Sequence, residues 1–240
     1  MELSTSQQQT QKNALTFARK NKKAIARDFT DKAIYSPEDE PVSVFMAGSP
    51  GAGKTEASIA LIEDLSAGGM QVLRIDPDEL RNHFPEYCGS NSWLFQGAVS
   101  ILVERIHDLV LKQKQSFLLD GTLSNYDIAA RNIARSLKKG RVVQILYVYQ
   151  KPELAWEFVL ARERAEGRKI PVERFIEQYF AARNVVNRLK NEFSEAIGVD
   201  LLLKNNDNSN RFYKAGIQQI DPHIPEAYSP EELAELIRLK

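Results

Sequence analysis

Eight consecutive residues, Gly48-Ser49-Pro50-Gly51-Ala52-Gly53-Lys54-Thr55, fit the pattern G-x-x-x-x-G-K-[ST]. Each part of the pattern has its own chemistry. Glycines tolerate positive φ and let backbone N–H groups close around phosphate oxygens. Lys54 brings a point charge to the β- and γ-phosphates, and Thr55 brings a hydroxyl to Mg²⁺. A helix starting at Lys54 would add its positive end. The stretch therefore predicts a loop, Gly48 to Thr55, that cradles a nucleoside triphosphate.

A second stretch, R-I-D-P-D-E-L-R (74–81), sets two aspartates either side of Pro77, directly after an apolar run. Pro77 biases Asp76 toward extended geometry, and a carboxylate at the carboxyl end of a strand faces the ligand crevice of an open α/β sheet. Asp78 is the candidate to accept a proton from a hydroxyl that attacks the γ-phosphate, with Asp76 second. The plainer alternative makes Asp78 the N-cap of a short helix starting at Glu79. In F-L-L-D-G (117–121), apolar residues end in Asp120, which either organises Mg²⁺ or faces the acceptor; spacing leaves both open. Arg162, Arg164 and Arg168 surround a helix end and a link before Pro171, where they would either meet charge on a moving phosphoryl group or form a solvated face.

The elements that must hold these residues alternate. Strands are predicted over 42–47, 71–75, 116–120 and 142–149, and helices over 54–65, 92–113, 128–137, 153–167 and 172–190. VDLLLKNN (199–206), a turn, a mixed stretch and a last helix after SPEE follow. The alternation predicts an α/β fold with a mainly parallel sheet flanked by helices. Residues 1–10, polar and Gln-rich, are expected to fray, and a basic amphipathic helix is expected from Gln11 to about Thr30. The division is a helical extension over 1–40 and a P-loop domain over 41–240. That extension has two readings, a packing helix over a sheet edge or a tethered cover for the nucleotide site. His107 is expected on a helix surface. Trp93, Phe95, Trp156, Phe158, Tyr179 and Phe180 are expected in the core or a pocket wall. Residues 84–97 are read as an acceptor lid or a structural loop.

Composition narrows the classes. The 32 Lys and Arg balance 32 Asp and Glu, so a general nucleic-acid binder, which needs surplus cations, is disfavoured. Cys88 is the one cysteine and the 3 histidines are scattered, which removes a disulfide framework and a cysteine-based zinc site. No apolar run is long enough to span a membrane and the start is not signal-like. The expectation is a cytoplasmic protein without membrane or nucleic-acid partners.

The ordered set GSPGAGKT (48–55), RIDPDELR (74–81), Glu104, FLLDGT (117–122), Arg162 and the RKIP stretch from Arg168 resembles the zeta toxin family of P-loop kinases, over roughly residues 40–190. The resemblance implies a Mg²⁺- and ATP-dependent transfer of the γ-phosphate to a sugar hydroxyl, the 3′-hydroxyl of UDP-N-acetylglucosamine in well-known members, and an antitoxin partner. It gives Lys54 and Thr55 the phosphate and Mg²⁺ contacts and Asp78 the proton. Arg162 and Arg168 receive the γ-phosphate. Glu104, Asp120 and Thr122 fall at acceptor-binding positions, with Asp120 where the best-known members carry glutamate. Two departures touch the acceptor pocket: Ser124, near which UDP-sugar-binding members tend to carry arginine, and Pro77 between the aspartates. A detoxifying kinase for an antibiotic, or a kinase for another metabolite such as NAD, is the alternative on the same core. A nucleotide-sensing binding module has no need of Asp78, Arg162 and Arg168 together, and a polynucleotide kinase lacks its basic stripe.

Overall fold

The computed structural model describes residues 3–207 and 209–238. A six-stranded sheet in the order β2-β3-β1-β4-β5-β6 forms the centre. Its strands are β1 (Val42–Ala47), β2 (Val72–Ile75), β3 (Ser116–Leu119), β4 (Val142–Tyr149), β5 (Gly198–Lys204) and β6 (Asn210–Lys214). The first five run parallel, each joined to the next through a helical crossover; β6 returns antiparallel along β5. The helices are α1 (Thr5–Phe29), α2 (Lys54–Ala67), α3 (Gln96–Gln113), α4 (Tyr126–Leu137), α5 (Pro152–Glu166), α6 (Val172–Phe193) and α7 (Pro230–Arg238). This is the expected α/β architecture, with β1 in the middle so that the loop after it opens where the strand order reverses.

Alternation along the strands separates two apolar layers. Phe45, Ala47, Leu73, Ile75, Phe117, Ile145, Tyr147 and Leu201 face the side that carries α1, α3, α4 and α6. Val44, Met46, Val72, Leu118, Leu146 and Val148 face the other side, where Ala57, Leu61, Ile62 and Leu65 of α2 cover them. A side chain on β2 in register with Val72 must point to α2, and Arg74 does, donating from Nε to Ser58 Oγ at 3.0 Å. Both faces of the central strands are therefore covered, as a parallel sheet requires.

Three expectations change. The segment 5–10 is helical rather than frayed, because Ser4 and Gln7 form a reciprocal cap: Gln7 N donates to Ser4 Oγ at 3.3 Å and Ser4 N to Gln7 Oε1 at 2.9 Å, satisfying donors the helix start would leave open. Met1 and Glu2 lie outside the described residues. His107 is not on a surface: it is 1% exposed, edge-on to Phe117 at 5.1 Å and to Phe45 at 6.5 Å. It occupies the sheet-facing side of α3. Burial, with Arg135, Arg141 and Arg131 nearby, pushes its pKa down to about 3 and keeps the ring neutral. Trp93 is not in the core either, being 44% exposed, because a short 3-10 helix over Gly89–Phe95 precedes α3 and turns it outward. Phe95, Trp156 and Tyr179 are buried as expected.

The α1 helix shares the core. Ala14, Ala18, Ile25 and Ala26 are buried in the same layer as α3, and Gly97 of α3 faces Leu15, where a Cβ would make ordinary contact at 3.5 Å. Phe17 packs on Phe84 with the rings tilted by 56° and their centroids 5.4 Å apart, and Asn13 Nδ2 donates to Glu86 at 2.8 Å. Among the described residues no helix is long and apolar enough to cross a membrane.

Candidate active site

The carboxyl ends of β1, β2 and β3 bring the site together. After Ala47 the chain turns through Gly48 (φ 134°), Gly51 (φ 71°) and Gly53 (φ 84°) into α2. Two of these glycines are required by contact as well as by φ. A Cβ on Gly48 would lie 2.2 Å from the Val148 carbonyl oxygen, and one on Gly51 2.0 Å from that of Ala155. The loop is thus clamped between β4 and α5, its N–H groups held in the concave form that receives anions. Lys54 Nζ folds back onto the loop, donating to the carbonyls of Ser49 at 2.6 Å and Gly48 at 3.1 Å. Burial pulls its pKa down to about 8; Asp120 and Asp78 work against that, while Arg162 and Arg168 add to it. One lysine thus feels four residues singled out in the sequence, which places Lys54, Asp78, Asp120, Arg162 and Arg168 in one electrostatic neighbourhood.

Beyond β2 the two aspartates diverge. Asp76 turns to Arg74 Nη2 at 2.6 Å, and its Oδ1 accepts from Asp78 N at 2.7 Å. Burial and the charge of Asp78 raise its pKa. Asp78 stands at the start of a 3-10 helix over Glu79–His83, yet its side chain makes no capping bond. Its carboxylate lies between Arg81, which donates to Oδ1, and Arg168, which donates to Oδ2. Burial alone would raise its pKa, but Arg168 and Arg81 outweigh it and hold the group below the usual carboxylate range. Arg168 reaches Asp78 because Gly167, left-handed at φ 72°, ends α5 and turns the link back.

Asp120 ends β3, its N–H extending the ladder to Ile75 O at 2.9 Å. Its Oδ2 accepts from Ser58 Oγ at 2.9 Å and from Arg74 Nη2 at 2.6 Å, and its side chain is 5% exposed. One carboxylate oxygen, Oδ2, is thus engaged by protein from two sides. Thr122 lies against the phosphate loop, its carbonyl accepting from Gly48 N at 3.2 Å and its Oγ1 lying 2.9 Å from Ser124 Oγ. Arg162 on α5 is 45% exposed and pairs loosely with Glu166 at 3.6 Å; Arg164 is a solvated surface residue. Glu104 stands exposed on α3, with no hydrogen bond or ion pair among the described residues. The structure thus brings Lys54, Asp76, Asp78, Asp120, Arg162 and Arg168 together by contact or by charge, sets Thr122 against the phosphate loop, and leaves Glu104 and Arg164 on the surface.

Sequence reasoning overlooked Arg74, Arg81 and Ser58. Both arginines lie inside RIDPDELR, and an i,i+3 acid–base pair on a helical start is a legible signal. The tie from Arg74 to Ser58 needed the sheet register. Residues 84–95 are anchored at Phe84, Leu94 and Phe95, all buried, and close onto the end of α5 at Gly89, where a Cβ would lie 1.9 Å from the Glu166 carbonyl oxygen.

Mg²⁺ fits this site in one way. Among the described residues no cluster of His, Cys, Asp and Glu is suited to a metal. Mg²⁺ characteristically takes one or two protein ligands and completes its shell with phosphates and water. The Thr55 hydroxyl, on the first turn of α2, is suited to that part.

Comparison with known proteins bears on the fold and the family. Toxin PezT of Streptococcus pneumoniae serotype 4 (strain ATCC BAA-334 / TIGR4) is 27% identical over 130 residues, covering 51% of this chain and 50% of that protein. The chain thus spans about half the length of the curated relative it matches. A solved structure from the PezAT chromosomal toxin-antitoxin system of the human pathogen Streptococcus pneumoniae superposes with a TM-score of 0.58 at 18% identity, over 100% of this chain and 90% of that one. The AvrRxo1-ORF1:-ORF2 crystal structure with ATP gives 0.56 at 16%, over 85% of this chain and 65% of that one. These superpositions show a shared fold. The sequence model of the family described as Zeta toxin matches residues 25–218, spanning the phosphate loop, both aspartates and the arginine link, and on that match the chain belongs to the zeta toxin family.

Proposed function

We propose that the chain is a Mg²⁺-dependent kinase of zeta toxin type that transfers the γ-phosphate of ATP to a sugar hydroxyl of a nucleotide-sugar such as UDP-N-acetylglucosamine. The observation that carries this reading is the single charge neighbourhood of Lys54, Asp78, Asp120, Arg162 and Arg168 beside a glycine cradle. A loop that only senses nucleotide has no use for a carboxylate and two arginines whose charges reach its lysine.

The residues divide the work by chemistry. The N–H groups of Gly51, Gly53 and Lys54, at the amino end of α2, bind the phosphates. The Lys54 ammonium leaves the carbonyls of Gly48 and Ser49 for phosphate oxygen. Arg162 and Arg168 neutralise charge that spreads over the equatorial oxygens during transfer. Asp78 accepts the proton of the acceptor hydroxyl as its oxygen bonds to phosphorus and the bond to ADP breaks. Bound near Thr55, Mg²⁺ would supply charge neutralisation between the β- and γ-phosphates. Asp120, held by Ser58 and Arg74, fixes the floor of the site, while Thr122 and Glu104 remain for the acceptor. Toxin PezT and the PezAT structure come from a toxin-antitoxin system, which supports a role as the toxin of such a pair, acting in the cytoplasm and restrained by an antitoxin. We read α1 as a packing helix, because its apolar face is used up against α3 and residues 84–95.

The test is transfer from γ-labelled ATP with Mg²⁺ to UDP-N-acetylglucosamine, other UDP-sugars, NAD and antibiotics, each offered separately. Label on the UDP-sugar supports the reading. Label on NAD or an antibiotic instead would move the acceptor and favour the metabolite or detoxifying alternative. ATP bound without transfer to any acceptor would remove the kinase.

A further inference from the structure

Asp78 is gripped by two guanidinium groups that differ in how they are attached. Arg168 belongs to the link between α5 and α6, outside both helices, and its side chain is 20% exposed. Arg81 is in the 3-10 helix that Asp78 begins and is 8% exposed. Among the described residues, Asp78 is the only hydrogen-bonded partner of the Arg81 side chain, whose Nε is buried without an acceptor. An orphaned buried donor opposes folding by about 1–3 kcal/mol, so packing alone gives no reason to keep this guanidinium there. Arg74, by contrast, ties Ser58, Asp76, Glu79 and Asp120 together.

The other charges facing Asp78 are Asp76, whose Oδ1 accepts from Asp78 N at 2.7 Å, and Lys54 across the phosphate loop. Both Lys54 and Arg168 have anionic phosphates to move toward. Arg81 is held inside the aspartate's own turn and does not.

We propose that Arg81 is a positioning residue that keeps its hold on Asp78 Oδ1 when bound polyphosphate draws Arg168 away, leaving Oδ2 free to take the acceptor proton. This rests on the phosphotransfer reading above. In the step, the proton of the acceptor hydroxyl passes to Oδ2, the acceptor oxygen bonds to the γ-phosphorus, and the bond from that phosphorus to the bridging oxygen of ADP breaks. While Arg168 remains, Oδ2 is occupied, so nucleotide must precede productive acceptor.

The test is titration of the Asp78 carboxyl by ¹³C NMR, assigned with Asp78→Asn, in the full-length protein, with and without a non-hydrolysable ATP analogue and Mg²⁺. Wild type, Arg81→Met, Arg81→Lys and Arg168→Met are compared. Without nucleotide, both methionine substitutions raise the Asp78 pKa, since each removes a cation. With the analogue bound, Arg168→Met no longer changes it, Arg81→Met still raises it, and Arg81→Lys restores it toward wild type. In turnover, Arg81→Met lowers kcat on the order of a hundredfold, as loss of reacting geometry does, with the KM for ATP little changed and the acid limb of the kcat profile moved to higher pH. An Asp78 titration in the analogue complex that is indifferent to Arg81, or still governed by Arg168, would overturn the proposal. Arg81→Lys retains the cation if Arg81→Met fails to fold. The titration needs no turnover, so absence of transfer would remove the kinase reading while the titration still decides the role of Arg81.

Discussion

The two ends of the sheet both bury guanidinium groups and use them differently. At the amino end, Arg141 donates to Ser43 Oγ at 2.7 Å and to the carbonyls of Gln115 and Val42 at 2.7 and 2.8 Å, and lies over the Phe117 ring at 5.2 Å. Its partners are neutral, and burial draws its pKa down to about 10. At the carboxyl end, Arg74, Arg81 and Arg168 hold the carboxylates of Asp76, Asp78 and Asp120. A cation fixed on backbone carbonyls closes strand ends and has nothing to exchange. A cation paired with a carboxylate can pass to a phosphate and leave that carboxylate free as a base. On the proposed reading, the same residue type builds the fold at one end and serves the chemistry at the other.

This contrast can be broken at either end. The largest effect is expected from Gly51→Val, whose Cβ would lie 2.0 Å from the Ala155 carbonyl. Nucleotide affinity should fall on the order of a hundredfold or more as the cradle is displaced, read by calorimetric titration; wild-type affinity would mean that the loop does not bind the phosphates. Next, Arg141→Met should destabilise the fold by about 2–4 kcal/mol, since buried carbonyls lose their donors, with nucleotide affinity unchanged once folded. Denaturant unfolding and the same titration read the two quantities, and weakened binding would show that the ends are not independent.

A smaller, graded effect sharpens the carboxyl end. Phosphate favours the charged form of Lys54, whose pKa is lowered to about 8 in the free protein. Below that pH the lysine is already protonated and affinity is flat. Above it binding must take up a proton, and affinity should fall about tenfold per unit pH, with proton uptake visible when buffers of different ionisation heat are compared. A flat profile through pH 9 would put Lys54 elsewhere. Equal per unit of pH, but read in stability rather than binding, is the linkage of His107. Its folded pKa of about 3 lies below its unfolded value, so the unfolded chain binds the extra proton and stability declines as pH falls from about 6.5 toward 3. The slope is about 1.4 kcal/mol per unit, and His107→Leu should remove that component.

How much of this was legible in the chain follows from where each signal lies. The phosphate loop is local: eight adjacent residues carry their geometry, and β1 and α2 flank them with the expected starts. Strands with apolar runs, such as VVQILYVY, were readable at both ends. The strand β6 was not, because NRFYK is exposed throughout and joins the sheet by backbone pairing and polar side-chain bonds such as Lys204 to Asn210, leaving no burial pattern. The helix cap at Ser4 was obscured by the polar residues that follow it. His107 looked like a surface residue because the helical period alone does not say which side of α3 meets the sheet. The clamp on Asp78 was half legible: Arg81 is in the same turn, whereas Arg168 arrives from a distant link through the turn at Gly167. Sequence spacing left Asp120 between acceptor and metal, and its engagement by Ser58 and Arg74 depended on which face of β2 Arg74 takes.

The most direct test of the central claim is phosphoryl transfer by wild type and Asp78→Ala side by side, with nucleotide affinity measured on both. Loss of transfer by about two to four orders of magnitude, with ATP affinity retained, is the predicted result. Transfer at the wild-type rate by Asp78→Ala would contradict the assignment of this carboxylate as the base.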